Sequence, residues 1–175
     1  MKNIRKRYSN QEVIYNSLDE DQFGALASKI AKEWHFQSKS NLVIGLEGAL
    51  GSGKTTWVRG MLAGLGYEGR VPSPTYTIVE QYELEGLSVM HLDLYRLPES
   101  NRLQERQLSE FEALGVREWM SKDEVWLIGE WPSRSPQFIA CVDIWINFEF
   151  QESSKRRVIL SEATTIGQDF LKLLS

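Results

Sequence analysis

The eight residues Gly48-Ala49-Leu50-Gly51-Ser52-Gly53-Lys54-Thr55 fit the pattern G-x-x-x-x-G-K-[ST], a loop that wraps nucleotide phosphates. The chemistry explains the residue types. Glycines allow a tight turn that aims successive backbone N–H groups at one anion, and side chains there would block the approach. Lys54 brings a positive charge to the β- and γ-phosphates, and the Thr55 hydroxyl can ligate Mg²⁺. The pattern predicts a nucleoside triphosphate held by Ala49, Leu50, Gly51, Ser52, Gly53, Lys54, Thr55 and Thr56.

Phosphate binding alone does not say what is done with the nucleotide. A bound Mg²⁺ needs further oxygen ligands, usually a carboxylate at the C-terminal end of a nearby strand. Two acids follow apolar strand-like runs: Asp93 after Val89-Met90-His91-Leu92, and Glu130 after Trp126-Leu127-Ile128-Gly129. Asp93 reads as a metal ligand, with a plain strand-end aspartate as its ordinary alternative. Glu130 reads as a second metal contact or as the group that orients an attacking water. Thr75 closes the proline-braced loop Gly69-Arg70-Val71-Pro72-Ser73-Pro74, where a hydroxyl can approach the γ-phosphate side of the metal as switch loops do. It serves equally well as the first residue of a strand.

These residues need a frame. Leu42 to Leu46 reads as a short buried strand, and Thr56 to Leu65 as a helix ended by Gly66, its N-terminus facing the phosphates. Upstream, Ser17-Leu18-Asp19-Glu20 reads as a capping box opening a helix to about Gln37, with Phe23, Leu26, Ala27, Ile30 and Trp34 on its buried stripe. Downstream, Tyr76 to Leu84 and Leu87 to Leu94 form a predicted hairpin around Glu85-Gly86. The stretch from Pro98 to Ser121 is polar and then helical, with Leu108, Phe111 and Leu114 on one face. Val125 to Ile128 makes a buried strand, and Val142 to Phe150 alternates with period two. Arg157 to Leu160 is expected to pair with it, and a helix over Ala163 to Leu174 closes the chain. A hairpin directly after the phosphate-loop helix requires antiparallel pairing, so the predicted fold is a three-layer, P-loop NTPase-like α/β fold. Its mixed sheet carries helices on both faces.

Composition narrows the rest. A chain of 175 residues, 42% hydrophobic and 25% charged, predicts one globular domain. Its net charge of −4 supplies no basic field to hold nucleic acid directly. Cys141 is the single cysteine, which excludes an internal disulfide and reads as a small half-buried hydrophobe. No run approaches the ~20 apolar residues of a membrane span. The basic start Met1-Lys2-Asn3-Ile4-Arg5-Lys6-Arg7 is followed by polar residues rather than an apolar stretch, so a cytoplasmic protein with a frayed tail over residues 1–10 is expected.

Taken together, Gly48 to Thr56, Ser73-Pro74-Thr75-Tyr76-Thr77, His91-Leu92-Asp93-Leu94-Tyr95-Arg96 and Glu130-Trp131-Pro132 resemble, in order and spacing, the TsaE (YjeE) family. This family comprises the P-loop ATPases of bacterial tRNA threonylcarbamoyladenosine synthesis. The similarity runs from about Ser17 to Pro132. It implies ATP and Mg²⁺ as ligands, and ATP hydrolysis in support of a partner, the complex of TsaD and TsaB. The tRNA would be met only through those partners, in keeping with the acidic chain. The resemblance gives Lys54 the phosphates, Thr55 and Asp93 the metal, and Glu130 the role of second acid. Thr75 becomes a switch-like residue and Trp131 a wall of the site.

The chain departs from the family pattern in three places. Ala49 stands where an acid is usual, which should spare backbone phosphate binding. Gly129 replaces a more common aliphatic residue and is expected to loosen Glu130. Residues 97–107 look like a solvated insertion. Two other readings compete: a small-molecule kinase, with Arg96, Arg102 and Arg106 as a lid, and a nucleotide-gated binding module without turnover. The motif accounts for Arg96, and Arg102 and Arg106 lie among Glu99, Glu105 and Glu110 as a solvated face would. A guanine-nucleotide switch is disfavoured, because no N-K-x-D occurs.

Overall fold

A computed structural model describes residues 12–74, 76–96 and 114–174. Thr75, the side chain of Arg96, the segment carrying Arg102, Arg106, Leu108 and Phe111, and the N-terminal tail lie outside the described residues.

Seven strands form one mixed sheet: β1 (Glu12–Leu18), β2 (Leu42–Gly48), β3 (Val79–Leu84), β4 (Leu87–Asp93), β5 (Val125–Glu130), β6 (Ile144–Phe150) and β7 (Arg156–Glu162). Their spatial order is β1-β7-β6-β2-β5-β4-β3. The central strands β6, β2, β5 and β4 run parallel, while β3 pairs antiparallel with β4, and β7 antiparallel with both β6 and β1. Buried on both faces, β2 and β5 are nearly continuous apolar runs, as parallel strands are.

Helices cover both faces. On one side α1 (Glu20–Gln37) and α2 (Lys54–Gly64) pack together and, with α5 (Thr165–Lys172), enclose the larger core. Trp34, Trp126 and Phe170 meet edge-on there, and the Trp34 indole N–H donates to Phe170 O at 2.9 Å, so its one polar atom is satisfied inside the core. On the other side α3 (Val116–Met120) and α4 (Pro136–Ile139) close a smaller core with Val43, Met90, Leu92, Leu127 and Phe138.

Two local expectations change. The capping box lies two residues further along: Asp19 Oδ1 accepts from Gln22 N at 2.9 Å, and Gln22 Oε1 accepts from Asp19 N at 3.1 Å. Ser17 cannot serve as cap because Ser17 and Leu18 end β1, an edge strand that the sequence pattern does not reveal. Its residues alternate only between exposed and half-buried, and its pairing partner lies about 140 residues away in sequence. Elsewhere the expected strands and helices differ at their ends by one to three residues, ordinary fraying of boundaries.

Candidate functional site

The site forms where β2 gives way to α2. Gly48 has φ +153°, and a Cβ there would sit 2.8 Å from Phe148 O and from Ser52 Oγ. Gly53 has φ +107°, and a Cβ would approach the Phe23 ring to 3.0 Å. Both positions therefore demand glycine. Gly53 also occupies the N-cap of α2, where no side chain caps the helix and the first turn contains no acid. By contrast α1 and α5 are capped by Asp19 and Thr164. The first N–H groups of α2 thus point into the loop without the side-chain acceptor that such ends normally recruit, an arrangement suited to an anion.

Lys54, buried at 5% exposure, turns back into this loop. Its Nζ donates to Gly48 O at 2.7 Å and Ala49 O at 3.1 Å and stands 3.5 Å from the centre of the Trp131 ring. Burial lowers its pKa from the usual lysine value, opposed by Glu130, Glu47 and Asp93. Trp131 has a positive φ of 59°, costly for a bulky residue, and its N–H donates to Leu46 O at 3.1 Å. Pro132 at the start of the next turn helps to fix that corner.

Register brings the acids together. Asp93 and Glu130 are paired neighbours at the ends of β4 and β5, and both are 3% exposed. Thr55 Oγ1, in the first turn of α2, donates to Glu130 Oε1 at 2.8 Å. Asp93 Oδ1 accepts from Tyr95 N at 3.0 Å. Thr55, Asp93 and Glu130 offer a hydroxyl and two carboxylates, the oxygen donor set that suits Mg²⁺. Together with Lys54, Ser73, Trp131 and the loop they line an open cleft of about 220 Å³.

Of the residues anticipated from sequence, the structure gathers Leu50, Gly51, Ser52, Gly53, Lys54, Thr55, Thr56, Asp93, Glu130 and Trp131 around one cleft or the loop beside it. Ala49 contributes its carbonyl at the exposed loop tip, and the Leu50 side chain is 85% exposed. Thr75 lies outside the described residues, although Ile78 N donates to Pro74 O at 2.6 Å and Asp93 N to Ile78 O at 3.0 Å, tying that loop to the acid. The expected loosening of Glu130 by Gly129 is not what is found. A Cβ on Gly129 would meet the Phe138 ring at 2.5 Å, so the ring occupies the space that an aliphatic side chain would fill. Glu130 itself is held by two hydrogen bonds.

Two residues escaped the sequence reading. Arg156, from β7, donates through Nε to Ser52 O at 3.1 Å and lies over Phe23, bracing the phosphate loop from a distant strand. His91 contacts Glu130 Oε1 at 2.9 Å from a fully buried position. Its place in the H-x-D pattern was the only signal available.

A glycine-rich loop between a central parallel strand and an uncapped helix, with acids at adjacent strand ends, defines a P-loop nucleotide-binding protein. Over its full extent the fold is similar to the crystal structure of Bacillus subtilis YdiB, with a TM-score of 0.68 at 22% identity, covering 96% of this chain and 97% of that one. The profile of TsaE, threonylcarbamoyl adenosine biosynthesis protein, matches residues 18–159. The chain is 34% identical over 153 residues to a tRNA threonylcarbamoyladenosine biosynthesis protein TsaE of Haemophilus influenzae, spanning 87% of this chain and 89% of that one. A namesake from Aquifex aeolicus is 33% identical over 150 residues, 85% and 93% of the two chains. The chain belongs to the TsaE family of tRNA threonylcarbamoyladenosine biosynthesis.

Proposed function

We propose that this protein is an ATP hydrolase that binds a TsaD–TsaB complex in its ATP-bound form and resets that complex by hydrolysis, meeting tRNA only through those partners. The observation that carries this reading is the uncapped start of α2 beside Lys54, facing Thr55, Asp93 and Glu130 across one cleft. ATP phosphates would take the α2 amides and draw Lys54 Nζ away from the carbonyls of Gly48 and Ala49. The negative charge of the nucleotide favours the charged form of a lysine that burial otherwise disfavours. Thr55, Asp93 and Glu130 would hold Mg²⁺, which supplies charge neutralisation on the phosphates. Glu130 also orients the water that attacks the γ-phosphorus, breaking its bond to the bridging oxygen and yielding ADP and phosphate. Trp131, anchored over Lys54, keeps the wall of the cleft in place. Among the described residues no helix is long and apolar enough to cross a membrane.

The test is MgATP hydrolysis by the purified protein, alone and with its cognate TsaD and TsaB, run beside Glu130→Ala. Stimulation by the pair that disappears in the variant supports an assembly-coupled ATPase. No turnover in any mixture, from protein that is folded and binds ATP, refutes hydrolysis and leaves a nucleotide-gated binding module.

A further inference from the structure

His91 is a fully buried motif residue that the reading above leaves without work. It lies on β4, two positions before Asp93 and on the same face of the sheet. Parallel pairing of β4 with β5 puts His91 beside Ile128 and Asp93 beside Glu130, so the Glu130 side chain reaches the ring along one sheet face. Nε2 lies 2.9 Å from Glu130 Oε1. That same oxygen accepts the Thr55 hydroxyl at 2.8 Å. A carboxylate oxygen accepts, so the hydrogen of this contact resides on Nε2. The buried Nδ1 has no hydrogen-bond partner among the described residues, and the Nε2–H tautomer leaves only a lone pair there instead of a stranded N–H.

The consequence concerns two groups at once. Both described bonds to Glu130 end on Oε1, and Glu130 lines the cleft. Thr55, spending its single hydroxyl hydrogen on Oε1, directs its lone pairs elsewhere. We propose that His91 is a positioning residue: its Nε2–H pins Glu130 Oε1 and, through that oxygen, sets the Thr55 hydroxyl, so that metal-bound nucleotide meets donors already in place. Buried partners of metal-ligating side chains commonly act in this way. The inference rests on the nucleotide-site reading above but not on turnover.

The experiment compares His91→Leu with His91→Gln. Leucine keeps bulk and removes the donor, whereas the glutamine amide nitrogen reaches about as far as Nε2. If the leucine variant does not fold, His91→Asn replaces it, because that amide stops near the Nδ1 position. Calorimetry of ADP binding, with and without Mg²⁺, is the first readout. His91→Leu should lose about 10–100-fold of the Mg²⁺-dependent gain in affinity while Mg²⁺-free binding stays within about threefold, and His91→Gln should stay close to wild type. The second readout is long-range ¹⁵N imidazole spectra of the wild-type protein, which has two histidines. The signal lost in His91→Gln should show the Nε2–H tautomer. An Nδ1–H tautomer, a leucine variant that keeps the full Mg²⁺ gain, or a glutamine variant as impaired as the leucine one overturns the proposal. Should wild-type binding prove independent of Mg²⁺, the metal reading of the site fails, and the tautomer alone then decides the role of His91.

Discussion

Gly129 offers the sharpest test of how the acid-bearing strand is held. Its backbone is not in the left-handed region, so alanine faces no backbone obstacle, and the whole penalty arises from contact. The added Cβ would lie 2.5, 2.7 and 3.0 Å from three carbons of the Phe138 ring, where carbon atoms prefer about 3.5–4.0 Å. Phe138 is fully buried in the smaller core and cannot retreat without moving α4 or β5. Overpacking of this kind costs about 1–3 kcal/mol, reduced by about 0.4–1 kcal/mol because alanine restricts the unfolded chain. Phe138→Ala alone should cost about 3–5 kcal/mol through the cavity it leaves. In Gly129→Ala/Phe138→Ala the new methyl enters the vacated space, so the double variant should be more stable than the sum of the two losses predicts, by about 1 kcal/mol or more. Urea denaturation of the four proteins measures this cycle. Additivity within about 0.5 kcal/mol would refute the claim that Phe138 fills the place of a side chain at position 129. MgADP affinity gives a second arm: it should fall in Gly129→Ala, whose strain sits one residue from Glu130, and recover in the double variant.

Lys54→Ala removes a charge-assisted phosphate contact worth about 1.5–3 kcal/mol, so calorimetry should show ADP affinity reduced about 10–150-fold. Unchanged affinity would contradict the site. Asp143 provides a pH signature remote from the cleft, where it ties β2 to the cap of α5 by accepting from Val43 N at 2.9 Å and Thr164 Oγ1 at 2.6 Å. Burial pushes its pKa above the ordinary 3.8, and the two hydrogen bonds oppose that shift. Because its folded pKa is raised, its proton-linked stabilisation is fully present below 3.8 and is lost as pH rises through the raised value. The stability of wild type relative to Asp143→Asn should therefore decline from strongly acidic buffer toward neutrality in parallel denaturation series, and a difference that grows with pH would contradict this.

What could be read from the sequence was what short-range chemistry dictates. The phosphate loop announces itself because Gly48, Gly53, Lys54 and Thr55 are each fixed by a local demand of backbone or charge. The β3–β4 hairpin is marked by Glu85-Gly86, and β6 by the alternation of Ile144, Ile146 and Phe148 into the larger core, whereas Val142, before the strand, packs into the smaller one. What escaped depends on register and on partners distant in sequence. Edge strand β1 is legible only once β7 is present to pair with it. Arg156 reaches Ser52 across 104 positions, and His91 becomes part of the site only because β4 and β5 lie side by side. The expectation for Gly129 failed for the same reason. A glycine before Glu130 means freedom only if nothing fills the gap, and Phe138 fills it nine residues later, after the chain has turned back through Pro132 and Pro136. Residue types in this chain thus specify which groups can bind phosphate and metal, whereas sheet register specifies how firmly they are held. Variants at Gly129, Phe138 and His91 should accordingly alter affinity and stability without changing any group proposed to touch the nucleotide.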